Sequence, residues 1–319
     1  MGEASISGLH HITAVAGDPQ RNVDFYTLVL GLRLIKVTVN FEEPSTYHLY
    51  YGNETGSPGS ILSFFTSPFL PQGRRGASQI TTVALCVPLG AIRFWRERLA
   101  SKNVRVGHQE KRFEQDVLTF YDPDGLQLEF IEDERCDHSL SNPSKVISAE
   151  TAVCGLHSVT LSLHEQEATA ITLTDVLGFS YAEWEGARHR YTLPNKGPGC
   201  FIDLIAHPTD CVGHNGKGII HHAAFSTESQ NDLTTWESTL VDYGIEKSSI
   251  TDEKYYKSIN FHEPSGVELE IATKYPGFMV DEDLLNLGTQ LQLPSSLEAQ
   301  RNKILGDLIP IHAKTELKV

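Results

Sequence analysis

Four segments of the 319-residue chain repeat one pattern of strand, helix and three strands, and nothing else in the sequence limits the fold as much. "GLHHITAVAGDPQRNVDFYTLVLGLRLIKVTVNF" reads strand, helix, strand. Asp18 caps the helix and Pro19 fills its first turn. Val23, Tyr26, Thr27 and Leu30 share one face, and Gly31 ends it. "TYHLYYG" and "SILSFFT" supply two more strands. The pattern restarts near residues 79, 155 and 219, in "QITTVALCVP", "GLHSVTLSL" and "GIIHHAAFST". The expected fold is α+β: four βαβββ units forming two cupped mixed sheets. Residues 1–132 hold two units, 133–153 form a polar connection, 154–276 hold two more units, and 277–319 are a packed extension with helix-like "SSLEAQRNKILGDLI".

Aligning the units pairs His10 with His157, His11 with Ser158, His222 with Thr82, and Glu270 with Glu129. One set is then His11, His222 and Glu270; its counterpart is Ser158, Thr82 and Glu129. Two imidazoles and a carboxylate with open positions suit non-haem Fe(II), and also Mn(II) or Zn. The second set would bind such ions weakly, so one metal site is expected and its duplicate lost, with Glu129 structural. If the ligands converge, units one and four share the metal cup, and units two and three form the other.

Both histidines of the first set sit in doublets, "GLHHIT" and "GIIHHAAF". Strand neighbours face opposite ways. His11 and Thr13 are assigned to the cavity, and His10 points away unless a local distortion turns it in; His221 and His222 pose the same question. Parity and repeat alignment leave open which member of each doublet binds metal. His48, His108, His164, His189 and His312 read as ordinary core or surface residues.

The net charge of −15 argues against nucleic acid and anionic membrane surfaces as partners. No apolar run is long enough to span a bilayer. "MGEASISG" lacks a signal-peptide pattern, and Ile6 breaks a near-match to a myristoylation motif. The five cysteines are scattered without a CxxC, so reduced thiols and a cytoplasmic location are expected and the Asn53 sequon carries no weight. "GHNGKG" and "GSPGS" match no phosphate-binding fingerprint and read as loops.

These units and doublets resemble the vicinal oxygen chelate superfamily, which includes glyoxalase I, bleomycin-resistance proteins and extradiol dioxygenases. "GLHHITAVAGDPQRNVDFYTLVLGLRLIKVTVNFEEPSTYHLYYG", "GIIHHAAF", "YYKSINFHEPSGVELEIATKYPGF" and "LGTQLQLP" resemble the hydroquinone ring-cleaving dioxygenases in particular. The resemblance implies metal ligation by the second histidine of each doublet, His11 and His222, and by Glu270. It places His10, His221 and Thr13 beside them as catalytic residues. It implies a metal-dependent, extradiol-type dioxygenase using Fe(II) or Mn(II), with a hydroquinone or catechol-like aromatic and dioxygen as partners and a homo-oligomer allowed. In "DEKYYKSINF", Glu253 stands where the family has a pocket arginine and Asn260 where it has a tyrosine, with Tyr256 between them; Lys254 and Lys257 are the cations nearest the lost arginine. Two other readings use the same scaffold: a glyoxalase-type Ni- or Zn-dependent isomerase, and a non-catalytic protein that binds an aromatic compound.

Overall fold

In the computed structural model, which describes residues 4–194 and 197–312, each unit covers one face of its strands with its own helix. The first unit comprises β1 (Leu9–Ala16), α1 (Pro19–Asp24), β2 (Arg33–Val39), β3 (Tyr47–Gly52) and β4 (Ile61–Thr66). Asp18 Oδ1 accepts the Arg21 N–H at 2.8 Å and Pro19 opens the first turn, as the sequence leads one to expect. The helix continues as a π turn, Phe25–Val29, before Gly31 leaves it at φ 72°. The second unit comprises β5 (Gln79–Val87), α2 (Ala91–Ser101), β6 (Val106–Arg112), β7 (Gln115–Tyr121) and β8 (Gln127–Glu132). The third comprises β9 (Leu156–Leu163), α3 (Glu167–Ile171), β10 (Ser180–Glu185), β11 (Arg188–Thr192) and β12 (Phe201–Ala206), and repeats the π turn at Thr172–Val176. The fourth comprises β13 (Ile219–Thr227), α4 (Gln230–Asp242), β14 (Thr251–Asp252), β15 (Lys257–His262) and β16 (Glu268–Thr273).

The units join crosswise into two eight-stranded sheets. One has the order β14-β15-β16-β13-β1-β4-β3-β2 and unites the fourth and first units; the other, β10-β11-β12-β9-β5-β8-β7-β6, unites the third and second. The expected pairing of first with fourth is what the structure contains. Val23, Tyr26, Leu49, Leu62 and Phe64 belong to the core under the first helix. His11, Thr13, Ser63, His48, Tyr50 and Glu270 are buried apart from that core, toward the concave side.

The chain passes between sheets twice, after β4 and after β12, and the two passages run side by side. His214 N–H donates to Arg74 O at 2.8 Å, and Ala77 N–H to Cys211 O at 3.0 Å. A Cβ on Gly76 would lie 2.2 Å from Cys211 O, so this approach requires glycine. "GHNGKG" is thus a packing loop. Asn53 is buried and its Oδ1 accepts the Ser57 N–H at 2.9 Å, which leaves the sequon inaccessible in the fold. Met1 and Gly2, on which the myristoylation reading rests, lie outside the described residues. No described helix is long and apolar enough to cross a membrane.

The extension ends in α5 (Arg301–Asp307) and closes over the first sheet. Phe278 and Leu287 pack with Ile35, Tyr50, Tyr255 and Tyr256 in an apolar cluster separate from the main core. Lys36, fully buried on β2, reaches Asp281 Oδ1 and Glu282 Oε2, both at 2.5 Å. Removing one partner of such a buried pair leaves uncompensated charge, at a cost of about 3–5 kcal/mol. Lys36→Ala is therefore expected to lower unfolding free energy by about that amount in urea titration, and to open residues 281–293 to limited proteolysis before the sheets unfold.

Candidate metal centre

β1 and β13 pair antiparallel, and the pairing is irregular at two places. Between Leu9 and His11 the register skips His10; opposite Thr13 and Ala14 it skips His221. These are β-bulges, in which two adjacent residues oppose one and turn toward the same side. The distortion allowed for above is present in both doublets. His10 Nδ1 lies 2.9 Å from His11 Nδ1, and His221 Nδ1 lies 2.9 Å from His222 Nδ1. The first histidine of each doublet thus meets the second instead of facing away.

One row of residues crosses the sheet through β15, β16, β13 and β1: Asn260, Glu270, Ala224, His11. The small, buried Ala224 separates Glu270 from His11 and belongs to the apolar cluster that holds Tyr50 and Tyr256. The next row places His222 opposite Thr13, and Thr13 beside Ser63. Three side chains converge there. His11 Nε2 is 3.3 Å from His222 Nε2 and 3.7 Å from Glu270 Oε1; His222 Nε2 is 3.6 Å from Glu270 Oε2. Donors sharing one ion at about 2.0–2.2 Å have such separations. All three are buried and form a candidate metal site; a second, more open group, His221, His222 and Glu268, shares His222 with it.

The electrostatics fit a cation. Burial holds the His11 and His222 imidazoles well below their ordinary pKa, with neighbouring histidines adding to the effect. Burial also drives the Glu270 carboxyl well above the usual range, reinforced by Glu253 and Glu268 and only partly offset by Asn260 and Ser258. Glu270 Oε1 has no hydrogen-bond partner. A buried carboxylate with one oxygen orphaned, set against two neutral imidazoles, is costly unless a cation completes it.

A chain of buried polar groups borders the triad. Thr13 Oγ1 and Ser63 Oγ are 2.8 Å apart, Ser63 Oγ and His48 Nε2 3.1 Å, His48 Nδ1 and the Tyr50 hydroxyl 2.9 Å, and the Tyr50 and Tyr256 hydroxyls 3.3 Å. The Tyr256 ring centroid lies 5.0 Å from that of His11 and 5.2 Å from that of His10. His48 is the satisfied core histidine the sequence leads one to expect, buried with both ring nitrogens hydrogen-bonded, and those bonds place it in the line of polar groups beside the triad. Alternation in "YHLYYG" puts His48 and Tyr50 on one face, a signal that becomes informative once β3 is known to border β4.

The remaining sequence candidates are placed as follows. His221 is about a third exposed, and its Nδ1 lies 3.4 Å from Glu268 Oε2. His10 is buried, and burial lowers its pKa to about 4 against a raising hydrogen bond at Thr273. Glu253 lies in the turn before β15, its N–H bonded to Tyr256 O at 2.9 Å, and burial raises its carboxyl. Both nearby lysines are engaged elsewhere: Lys254 Nζ binds Asp281 Oδ2 at 2.7 Å and Leu293 O at 2.9 Å, and Lys257 Nζ binds Gln230 Oε1 at 2.9 Å.

The other sheet carries the duplicate without its chemistry. Its bulges fall at Thr81 and His157, and Glu129, Ala84 and Ser158 form the matching row. Arg112 takes the place of an ion there, donating from Nη1 to Glu129 Oε2 at 2.7 Å and from Nη2 to Oε1 at 3.0 Å. A cavity of about 720 Å³ opens in this cup beside Phe113, Gln115 and Phe201, but its arginines, Arg190 and Arg135, are already bound to Asp203 and Asp133. No metal-binding group of His, Cys, Asp and Glu lines this opening among the described residues.

Residues 8–130 match the Glyoxalase/Bleomycin resistance protein/Dioxygenase superfamily. The chain is 39% identical over 303 residues to MhqE of Bacillus subtilis, provisionally named a ring-cleaving dioxygenase, covering 95% of this chain and 98% of that one. It is 31% identical over 309 residues to the chlorohydroquinone/hydroquinone 1,2-dioxygenase of Sphingobium indicum, covering 94% and 95%. The crystal structure of a provisionally assigned dioxygenase from Bacillus subtilis superposes with a TM-score of 0.93 at 36% identity, covering 98% of this chain and 100% of that one.

Two outcomes are expected. Ala224→Leu sets a larger side chain between His11 and Glu270 and abolishes binding of divalent metal in equilibrium dialysis, whereas Ala84→Leu leaves it intact; each overpacks a sheet at about 1–3 kcal/mol. His48, lowered by burial to about 3, stays neutral in the fold while the unfolded chain takes up its proton below pH 6.5. Its contribution is present above pH 6.5 and lost as pH falls toward 3, so His48→Gln makes the acid limb of metal-free stability shallower by about 1.4 kcal/mol per pH unit.

Proposed function

We propose a reaction from one established premise: the chain belongs to the ring-cleaving dioxygenases of the Glyoxalase/Bleomycin resistance protein/Dioxygenase superfamily. It is a metal-dependent dioxygenase that opens a hydroquinone- or catechol-type ring, with Fe(II) held by His11, His222 and Glu270. The observation that carries this reading is the buried Glu270 carboxylate, its Oε1 orphaned and 3.7 Å from His11 Nε2 and its Oε2 3.6 Å from His222 Nε2. When bound, a redox-active divalent ion supplies Lewis acidity toward a phenolic oxygen and an electron path between ring and dioxygen.

The chain's own residues do the rest. For His11 and His222 to offer Nε2 lone pairs, each must carry its proton on Nδ1 and donate it to the preceding histidine, at 2.9 Å in both doublets. His10 and His221 fix tautomer and ring plane in this way. One carboxylate against a divalent ion leaves net positive charge for a phenolate. His10, buried and held neutral, orients; His221, at the site's open edge beside Glu268, commits its Nδ1 lone pair to His222 and offers its Nε2–H to a substrate oxygen, while the substrate hydroxyl proton leaves to solvent at that edge. Thr13 and the line through Ser63, His48, Tyr50 and Tyr256 hold the wall in place, and the Tyr256 ring covers His11. Glu253 brings negative charge where the family has an arginine, which favours an uncharged ring over a carboxylated one.

Two features favour this over isomerase chemistry. The triad has no fourth His, Cys, Asp or Glu grouped with it among the described residues, and Glu129 is bound to Arg112 in the other sheet. Five free cysteines and the lack of a membrane-crossing helix among the described residues support a cytoplasmic setting.

Protein loaded anaerobically with Fe(II) is expected to consume about one dioxygen per ring opened, with unsubstituted and methyl hydroquinones reacting faster than carboxylated ones. His222→Ala should lose bound iron and oxygen uptake together, by more than the roughly 10–100-fold that loss of an outer partner costs. Uptake that persists in that variant would refute the triad.

A further inference from the structure

Three of the five cysteines, distant in sequence, come together where the two halves of the chain meet. Cys86 is near the end of β5, Cys136 is in the connection, and Cys154 precedes β9. Cys86 Sγ lies 2.7 Å from Cys136 Sγ. Cys136 also contacts Cys154, whose Sγ is 4.0 Å from His138 Nδ1. Backbone bonds fix the array. Cys86 N–H donates to Gly155 O at 2.9 Å and Cys154 N–H to Cys86 O at 2.8 Å; Asp133 N–H donates to Val87 O at 3.1 Å and Cys136 N–H to Asp133 O at 3.3 Å. All are free thiols, scattered along the sequence and gathered by the fold. The sulfurs do not surround a point: no three lie within 4.8 Å of one another among the described residues, which sets the array apart from a thiolate metal site.

Cys86 and Cys154 are buried, whereas Cys136 is partly exposed and flanked by exposed Arg135 and Asp137. One thiol thus meets solvent with a buried partner in contact behind it, the arrangement of an attacking and a resolving cysteine. We propose that Cys136 is a reversible oxidation site for peroxides, resolved by Cys86 as an intramolecular disulfide. This stands apart from the ring-cleaving reaction and does not depend on it.

The chemistry balances in two steps. The deprotonated Cys136 sulfur attacks one peroxide oxygen; the O–O bond breaks, and hydroxide leaves and gains a proton to become water. Sulfur loses two electrons, peroxide gains them, and Cys136 is a sulfenic acid. The Cys86 sulfur then attacks the Cys136 sulfur; the S–O bond breaks, and the hydroxyl leaves with the Cys86 proton as a second water. Contact with Cys154 draws the Cys136 thiol down, but Cys86 and burial push it up by more, so the first step is slow compared with a dedicated peroxidase. The bond, once made, fastens the 133–153 connection to the end of β5, and dithiothreitol reverses it.

The test uses the reduced full-length chain, treated with hydrogen peroxide and then unfolded and alkylated. Of the five cysteines in the sequence, Cys86 and Cys136 are expected to be lost together as titratable thiols, with no oxygen added to either. Non-reducing peptide mapping should join the Cys86 and Cys136 peptides, and Cys136→Ser, or Cys136→Ala if that variant is unstable, should leave no intramolecular link. Recovery of Cys86 and Cys136 as free thiols once exposed Cys211 has been fully oxidised would overturn the proposal. So would conversion of Cys136 to sulfinic acid with Cys86 still free.

Discussion

The antiparallel pairing of β1 with β13 is the constraint on which the rest of the molecule depends. It joins the first unit to the fourth across most of the chain, and its two bulges bring both members of each histidine doublet to one side of the sheet. Without those bulges, strand alternation would send His10 and His221 away from the ligands, and Nδ1 of His11 and His222 would lose its partner. The same pairing sets Ala224, the smallest side chain of that row, between His11 and Glu270.

The second sheet is an internal control. Its β5–β9 pairing has bulges at the equivalent positions, and its carboxylate, Glu129, occupies the place of Glu270. What differs is the partner. Arg112 neutralises Glu129 through two hydrogen bonds, whereas Glu270 Oε1 has none. A guanidinium in one cup and an unanswered carboxylate in the other separate a structural copy from a binding copy on one framework. Burying a carboxylate is tolerable only with such an answer, so the contrast is itself an argument for a cation in the first cup.

Much of this was legible in the sequence because it is periodic or local. The fourfold repeat, the Asp18 cap, Gly31 and the doublets all declare themselves within a few residues. Aligning the units matched Glu270 with Glu129 and left units one and four to share a cup. What stayed hidden needs a partner strand. A bulge exists only relative to the chain opposite, so parity could not assign the doublets. His48 joins the site only because β3 borders β4. Arg112 reaches Glu129 from the turn end of β6, and Lys254 is drawn off by Asp281 in the extension, neither of which any spacing reveals. The cysteines looked scattered because the connection that gathers them has no periodicity.

The most direct measurement is anomalous diffraction at the iron edge from crystals soaked anaerobically in Fe(II). The account predicts one peak per chain, about 2.0–2.2 Å from His11 Nε2, His222 Nε2 and a Glu270 oxygen, with none beside Arg112 and Glu129. A peak in the second cup, a peak held by His221 and Glu268 instead, or no peak at saturating iron would contradict it.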